Sequence, residues 1–382
     1  MKAINILIAS DSFKGSLSSM EVADSMEKGF LKTGYDINVK KLPVADGGEG
    51  TVSAVTTALQ GVLKEFEVDD VFRKPTKASL GVLNDESIIL ETASPLGLDK
   101  LDKCELDPLS ASSYGLGQMI LHALDLGAKK IYIGLGGSST NDGGSGLASA
   151  LGARLLDENG KSIRDGAIGL KDLKTIDIKN LDPRLNEVEI FLLSDVTNPL
   201  CGENGATYIY GPQKGVKDDE LDLIDSWMKN YGEILEDLFQ KEILNISGSG
   251  AAGGLGACLQ AFGNAKMSRG IDKILEMIGM EEILKDIDIV FTGEGKMDGQ
   301  SIFGKAPLGV AKLAKKYNLP VVAIVGSADK SIINVFDEGI DLVLDIINEP
   351  MELEYAIKNA SELVAVQAHM SLTHYIKWKN IL

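Results

Sequence analysis

The chain has 382 residues, 44% of them hydrophobic and 25% charged, with a formal net charge of −18 and three cysteines. Its length exceeds the roughly 100–200 residues of one domain, so two domains are expected. The acidic balance, with no dense Lys/Arg cluster, excludes a nucleic-acid partner; no apolar run approaches the roughly 20 residues of a membrane span; and Cys104, Cys201 and Cys258 show neither zinc nor disulfide spacing.

In chain order, the first apolar run is too short for a signal-peptide core and reads as a strand over 4–10, with a cytoplasmic location expected. A helix over 18–32 follows, opened by the capping box Ser18-x-x-Glu21 and carrying Val22, Met26 and Phe30 on one face. A strand over 37–42 and a helix over 49–59 complete an alternation that predicts a parallel sheet flanked by helices. The middle gives strand candidates at 87–91, 131–134 and 188–193 among long glycine-rich turns. Near the C-terminus the alternation returns: strand 287–291, helix 307–316, strands 321–325 and 342–346, and helix 353–368. The expected class is therefore α/β. Residues 1–68 plus 285–382 form one discontinuous domain around a parallel sheet, and 69–284 form an inserted second domain. Neither a fixed-period repeat nor a low-complexity tract is present, which disfavours a solenoid or a disordered interaction protein.

The polar motifs fall where strands end, the place where ligands collect on an open parallel sheet. After the first strand, Ser10-Asp11-Ser12-Phe13-Lys14-Gly15-Ser16 offers a carboxylate, a cation and hydroxyls beside a helix start. After the second, Asp46-Gly47-Gly48-Glu49-Gly50 places two acids around glycines that let backbone approach a ligand. The longest glycine tract runs from Gly134 to Gly146 and includes Gly136, Gly137, Ser138, Ser139, Thr140, Asn141 and Asp142, a density of hydroxyls and bare N–H groups that suits phosphate oxygens. Asp195 stands alone after a further strand. Gly248-Ser249-Gly250-Ala251-Ala252-Gly253 matches the dinucleotide pattern, with Asp272 at about the expected distance, but its preceding strand is poor; close packing or a phosphate-facing helix start explains it equally well. The segment from Thr292 to Pro307 carries Glu294, Lys296, Asp298 and Lys305. It nearly spells a P-loop, but Ala306 stands where a magnesium-binding hydroxyl belongs. His122, His369 and His374 fit no metal or triad spacing, so a Ser-His-Asp hydrolase lacks its base.

Glycine-rich loops with scattered lysines and carboxylates are what phosphoryl transfer requires. Asp11 to Ser16, Pro43 to Thr51 and Gly134 to Gly146 resemble the bacterial type I glycerate kinases. Asn198 to Gly202, Gly211 to Gly215, Gly250 to Gly256 and Thr292 to Pro307 extend the resemblance over nearly the whole chain. It implies ATP-dependent phosphorylation of D-glycerate with magnesium, and a leaning towards 2-phosphoglycerate over 3-phosphoglycerate. It also implies two α/β domains, one Rossmann-like and built from both chain ends, with the active site in the cleft between them. A homodimer is compatible with the sequence. Lys296, Ser301 and Leu116 depart from the family pattern, and Lys in place of Arg at 296 loses a bidentate fork.

On this reading the glycine tract, Ser12, Lys14, Gly250 and Gly253 face ATP. Asp195 or Asp298 serves as acceptor base, Asp46, Glu49 or Glu294 lies near magnesium, and Lys296 and Lys305 neutralise the glycerate carboxylate or the moving phosphoryl group. The competing readings are a kinase for another small hydroxy acid, a ligand-binding regulator without chemistry, and an NAD-dependent dehydrogenase resting on Gly248 to Gly253.

Overall fold

The computed structural model describes residues 3–299 and 305–379. Ser301 and the rest of 300–304, part of the last motif, lie outside the described residues. The chain divides into two compact units: residues 1–46, 53–59 and 270–382, and residues 47–52 and 60–269. The strand Val62–Asp69 thus belongs to the second unit and the helices Gly270–Met277 and Met280–Leu284 to the first, so both boundaries fall earlier in the chain than 68/69 and 284/285.

The first unit is built on a five-stranded, all-parallel sheet in the order Leu342–Asp345, Val321–Val325, Ile289–Thr292, Ile4–Ile8, Ile37–Lys41. Ile6 stands opposite Ile289 and Ile4 opposite Ile37. The three inner strands are covered on both faces, which is why they read as continuous apolar runs without alternation. The helix Ser19–Leu31 starts at the predicted capping box, with Ser18 and Glu21 bonded reciprocally. It buries Val22, Met26 and Phe30 on the sheet. Gly29 lets it cross the C-terminal helix closely: a Cβ there would lie 2.2 Å from the Ala365 carbonyl oxygen. The helix expected over 353–368 is two, Leu353–Lys358 and Ala360–Lys379, because Asn359 leaves helical geometry (φ −106°, ψ 12°).

The second unit carries a six-stranded mixed sheet in the order Lys266–Ser268, Glu189–Leu193, Lys130–Gly134, Ser87–Glu91, Pro75–Val82, Val62–Asp69. The first four strands are parallel and the last two antiparallel. The edge hairpin is absent from the sequence reading because its outer strand is largely exposed and mixes Lys64, Glu65 and Glu67 with Val62 and Leu63. The helices Tyr114–Asp125, Leu221–Phe239 and Ala251–Phe262 enclose a core that includes Ile131, Ile133, Leu192, Tyr231 and Leu255. No helix among the described residues is long and apolar enough to cross a membrane.

Candidate functional site

In the first unit, three neighbouring parallel strands each deliver one acid just beyond their C-terminal ends: Asp11 after Ile4–Ile8, Asp46 after Ile37–Lys41 and Glu294 after Ile289–Thr292. The intervening loops are clamped to one another. Asp11 N–H donates to the Gly293 carbonyl (2.9 Å) and Val44 N–H to the Ser10 carbonyl (3.3 Å). Gly293 is required by this proximity, since a Cβ there would stand 2.0 Å from the Ile324 carbonyl oxygen. Burial pushes the Asp11 carboxyl up to about 8, helped by the charges of Asp46 and, less, Glu294; the Ser12 N–H, 2.6 Å from Oδ1, opposes the shift.

Two of the predicted lysines join this group. Lys305 Nζ lies 2.9 Å from Glu294 Oε2 and 3.9 Å from Asp298 Oδ1, and Lys296 Nζ lies 3.6 Å from Asp298 Oδ2. Glu294 is buried, whereas Lys296 is exposed and Lys305 is about two-thirds covered. Lys14 is exposed on the tight turn closed by Phe13 and Leu17. Ser12 is half-buried beside Asp11. Asp11, quoted in its motif without a role, is the residue of this group that sequence reasoning missed.

In the second unit, the segment after Gly47 lies across the strand ends. Gly47 adopts φ +100°, and a Cβ there would lie 2.6 Å from the Leu193 carbonyl oxygen. Gly136 N–H donates to the Gly47 carbonyl (3.2 Å), and a Cβ on Gly136 would meet Gly48 Cα at 2.6 Å. These glycines therefore serve backbone-to-backbone approach. Glu91 accepts from the N–H groups of Val52 (2.9 Å) and Gly50 (3.4 Å), while burial pushes its carboxyl up. Glu49 is exposed in this unit, and its charge acts on Glu91; it is not in the group formed by Asp11, Asp46 and Glu294.

The glycine tract has an accessible crest and a buried base. Gly137 is exposed and Gly136 half-buried, whereas Ser138 to Ala148 are buried. Gly137, at φ +74°, is the exposed residue of this tract. Asp142 does not belong on the ligand side. Its carboxylate accepts from Ser113 N–H (2.9 Å), Ser113 Oγ (2.8 Å), Gly144 N–H (3.0 Å) and Gly146 N–H (3.1 Å), so it fills the anion position that the sequence reading gave to phosphate. Thr140 and Asn141 are also fully buried, and Asn141 Nδ2 donates to Thr207 Oγ1 (3.0 Å). Ser139 is tied by its Oγ to the Leu96 carbonyl (3.0 Å). Gly250 and Gly253 are packing glycines: their Cβ positions fall 2.2 Å from the Pro199 carbonyl oxygen and 2.1 Å from that of Thr140. Close backbone packing thus accounts for both glycines.

Asp195 follows the strand Glu189–Leu193 and pairs with Arg269, Nε to Oδ1 at 3.5 Å. The tract's least expected neighbour is Lys214. Its ammonium is buried against Ser138 Oγ (3.1 Å) and the Thr140 carbonyl (2.7 Å), and burial pulls it down to about 7 against the opposing charge of Asp142. Lys214 stands in a quoted motif, yet nothing in its spacing places it beneath a loop more than seventy residues upstream. Asp11, Asp46 and Glu294 act on one another through charge, but among the described residues they do not form a three-ligand metal group.

Residues 6–375 match the model of the glycerate kinase family. The chain is 42% identical to a glycerate kinase of Halalkalibacterium halodurans, over 98% of each chain. It is 43% identical to the glycerate 2-kinase of Escherichia coli K12, over 94% of each. A crystal structure of a candidate glycerate kinase 2 from Salmonella typhimurium LT2 superposes with a TM-score of 0.88 at 42% identity, covering 100% of both chains.

Proposed function

This chain belongs to the glycerate kinase family, and from that premise we propose that it transfers the γ-phosphoryl group of ATP to the 2-hydroxyl of D-glycerate, giving 2-phosphoglycerate and ADP. The observation that carries the chemistry is that Asp11, Asp46 and Glu294 follow three adjacent strands and act on one another through charge, with Lys305 paired to Glu294 and Asp298. The choice of the 2-hydroxyl rests on the E. coli relative's name.

Hard carboxylate oxygens are the donors that magnesium takes, and it is commonly held by one or two carboxylates together with substrate phosphates. That fits a group with no three-acid cage. One or two of Asp11, Asp46 and Glu294 would hold it, and when bound it would neutralise charge on the phosphate oxygens. Lys305 offsets the acids and stabilises negative charge on the moving phosphoryl group. Asp298, held between Lys296 and Lys305, accepts the hydroxyl proton. Asp195, paired with Arg269, is the second candidate for that role. The exposed crest of the tract at Gly137 receives nucleotide phosphates. A cytoplasmic location accords with a supply of ATP.

The test is ADP release by purified protein with ATP, magnesium and D-glycerate, with phosphorus NMR of the product. A glycerate-dependent signal with the ester on carbon 2 is expected. An ester on carbon 3 overturns the positional assignment, and absence of turnover in folded protein overturns the substrate.

A further inference from the structure

A buried lysine is costly, because its charge is removed from water and regains only what its partners return. Lys214 is 2% exposed. It sits in the short turn Pro212–Lys214. Its ammonium makes two hydrogen bonds, both to the glycine tract: Ser138 Oγ and the Thr140 carbonyl. Gly253 makes room for that arrangement, since a Cβ there would lie 3.0 Å from Lys214 Nζ as well as 2.1 Å from the Thr140 oxygen.

The tract's other anchors leave a gap that Lys214 fills. On one side, Leu98 N–H reaches the Gly137 carbonyl (2.8 Å) and Ser139 N–H the Leu96 carbonyl (2.9 Å); on the other, Gly143 N–H reaches the Gly253 carbonyl (3.0 Å). Between them, the Thr140 hydroxyl finds no hydrogen-bond partner among the described residues. The Thr140 carbonyl is held by Lys214 alone of the charged side chains. A phosphate cannot reach an ammonium with this burial, so any effect on catalysis passes through the loop.

We propose that Lys214 is the positioning residue of the nucleotide-phosphate loop: from beneath, it fixes the backbone path from Ser138 to Thr140 and so sets the place of the exposed crest at Gly137 that meets the phosphates. This rests on the reading that the crest of the glycine tract receives ATP. Misplacing such donors by about 1 Å costs on the order of 10²-fold in rate.

The experiment is steady-state kinetics of Lys214→Met, which keeps the chain length and removes both hydrogen bonds. The KM for ATP is expected to rise about tenfold and kcat to fall by up to about 10²-fold, with the KM for glycerate within about twofold of the parent. ATP parameters within twofold of the parent, or equal rises in both KM values, overturn the proposal. Should Lys214→Met not fold, Ser138→Ala decides: it removes one acceptor and is expected to raise the KM for ATP about threefold without moving that for glycerate. No change there overturns the proposal. Gly137→Val separates this outcome from failure of the phosphate reading. If it leaves the ATP parameters untouched, the crest does not receive ATP and the proposal falls with that reading; if it raises the KM for ATP while the Lys214 and Ser138 variants do not, only the role of Lys214 falls.

Discussion

The acids at the strand ends of the first unit and the buried charges under the glycine tract of the second are opposite solutions to placing charge in a protein. Asp142 is saturated: two backbone N–H groups of its own loop and both donors of Ser113 surround it. Asp11 holds its proton up to about pH 8, because burial disfavours its charge and the like charges of Asp46 and Glu294 add to this. A saturated carboxylate organises structure, whereas a crowded one is poised for a cation or a proton. Density of polar residues in the sequence did not separate the two kinds. The glycine tract is the longest motif, yet most of it is spent on itself.

The sharpest way to break this contrast is to remove the cation that faces the crowded acids. Lys305→Met is expected to lower kcat by about 10²–10³-fold, as loss of one transition-state-stabilising donor does, with little change in the urea midpoint. Near-native turnover in the ADP-release assay would take the first unit's group out of the reaction. The complementary change is Asp142→Ala, which leaves four buried donors without an acceptor and deprives Lys214 of its opposing charge. A loss of about 3 kcal/mol in unfolding free energy is expected, since each unmade bond costs roughly 1–3 kcal/mol and neighbours relax. If urea unfolding moves by less than about 1 kcal/mol, the saturated arrangement is not structural.

A smaller effect follows from the Asp11 proton. An unfolded aspartate ionises near pH 4, but in the folded state Asp11 keeps its proton to about pH 8. Between those values the folded state binds more protons than the unfolded, so this group makes stability fall as pH rises. Asp11→Asn removes the slope. Relative to the parent it is expected to gain about 2 kcal/mol between pH 5 and pH 7, after solvent screening, in urea unfolding with chelator present. Parallel curves for the two proteins would mean that Asp11 is not crowded.

How much of this was legible in the sequence depended on how local the physics is. The inner strands of the first unit announce themselves as apolar runs, and Ser18 with Glu21 marks a helix start within four residues. The strand Val62–Asp69 does not, because this exposed edge strand carries charges on half its positions. Asp46, Glu294 and Lys305 were singled out by their position after strands, a rule of parallel sheets, and lie with Asp11 in the first unit, whereas Glu49 obeyed the same rule and lies in the second. Gly250 and Gly253 look like phosphate glycines in the sequence but are packing glycines in the fold, and only the carbonyls of Pro199 and Thr140 reveal it. Lys214 was beyond reach, since its partners are set by how the chain returns to the glycine tract.

The gentlest probe of the contrast needs no mutation. Crowded acids gain from a divalent cation, and a saturated one does not, so magnesium without nucleotide should stabilise the protein through the first unit. At a concentration tenfold above its dissociation constant, the gain is about 1.4 kcal/mol. Because the cation must displace the Asp11 proton, the shift in unfolding temperature is expected to be larger at pH 8.5 than at pH 6.5. Asp11→Asn should abolish that pH dependence, and Asp142→Ala should leave it intact. A magnesium shift that is the same at both pH values, or that survives unchanged in Asp11→Asn, would place the cation away from the three strand ends and leave the crowding of Asp11 without a function.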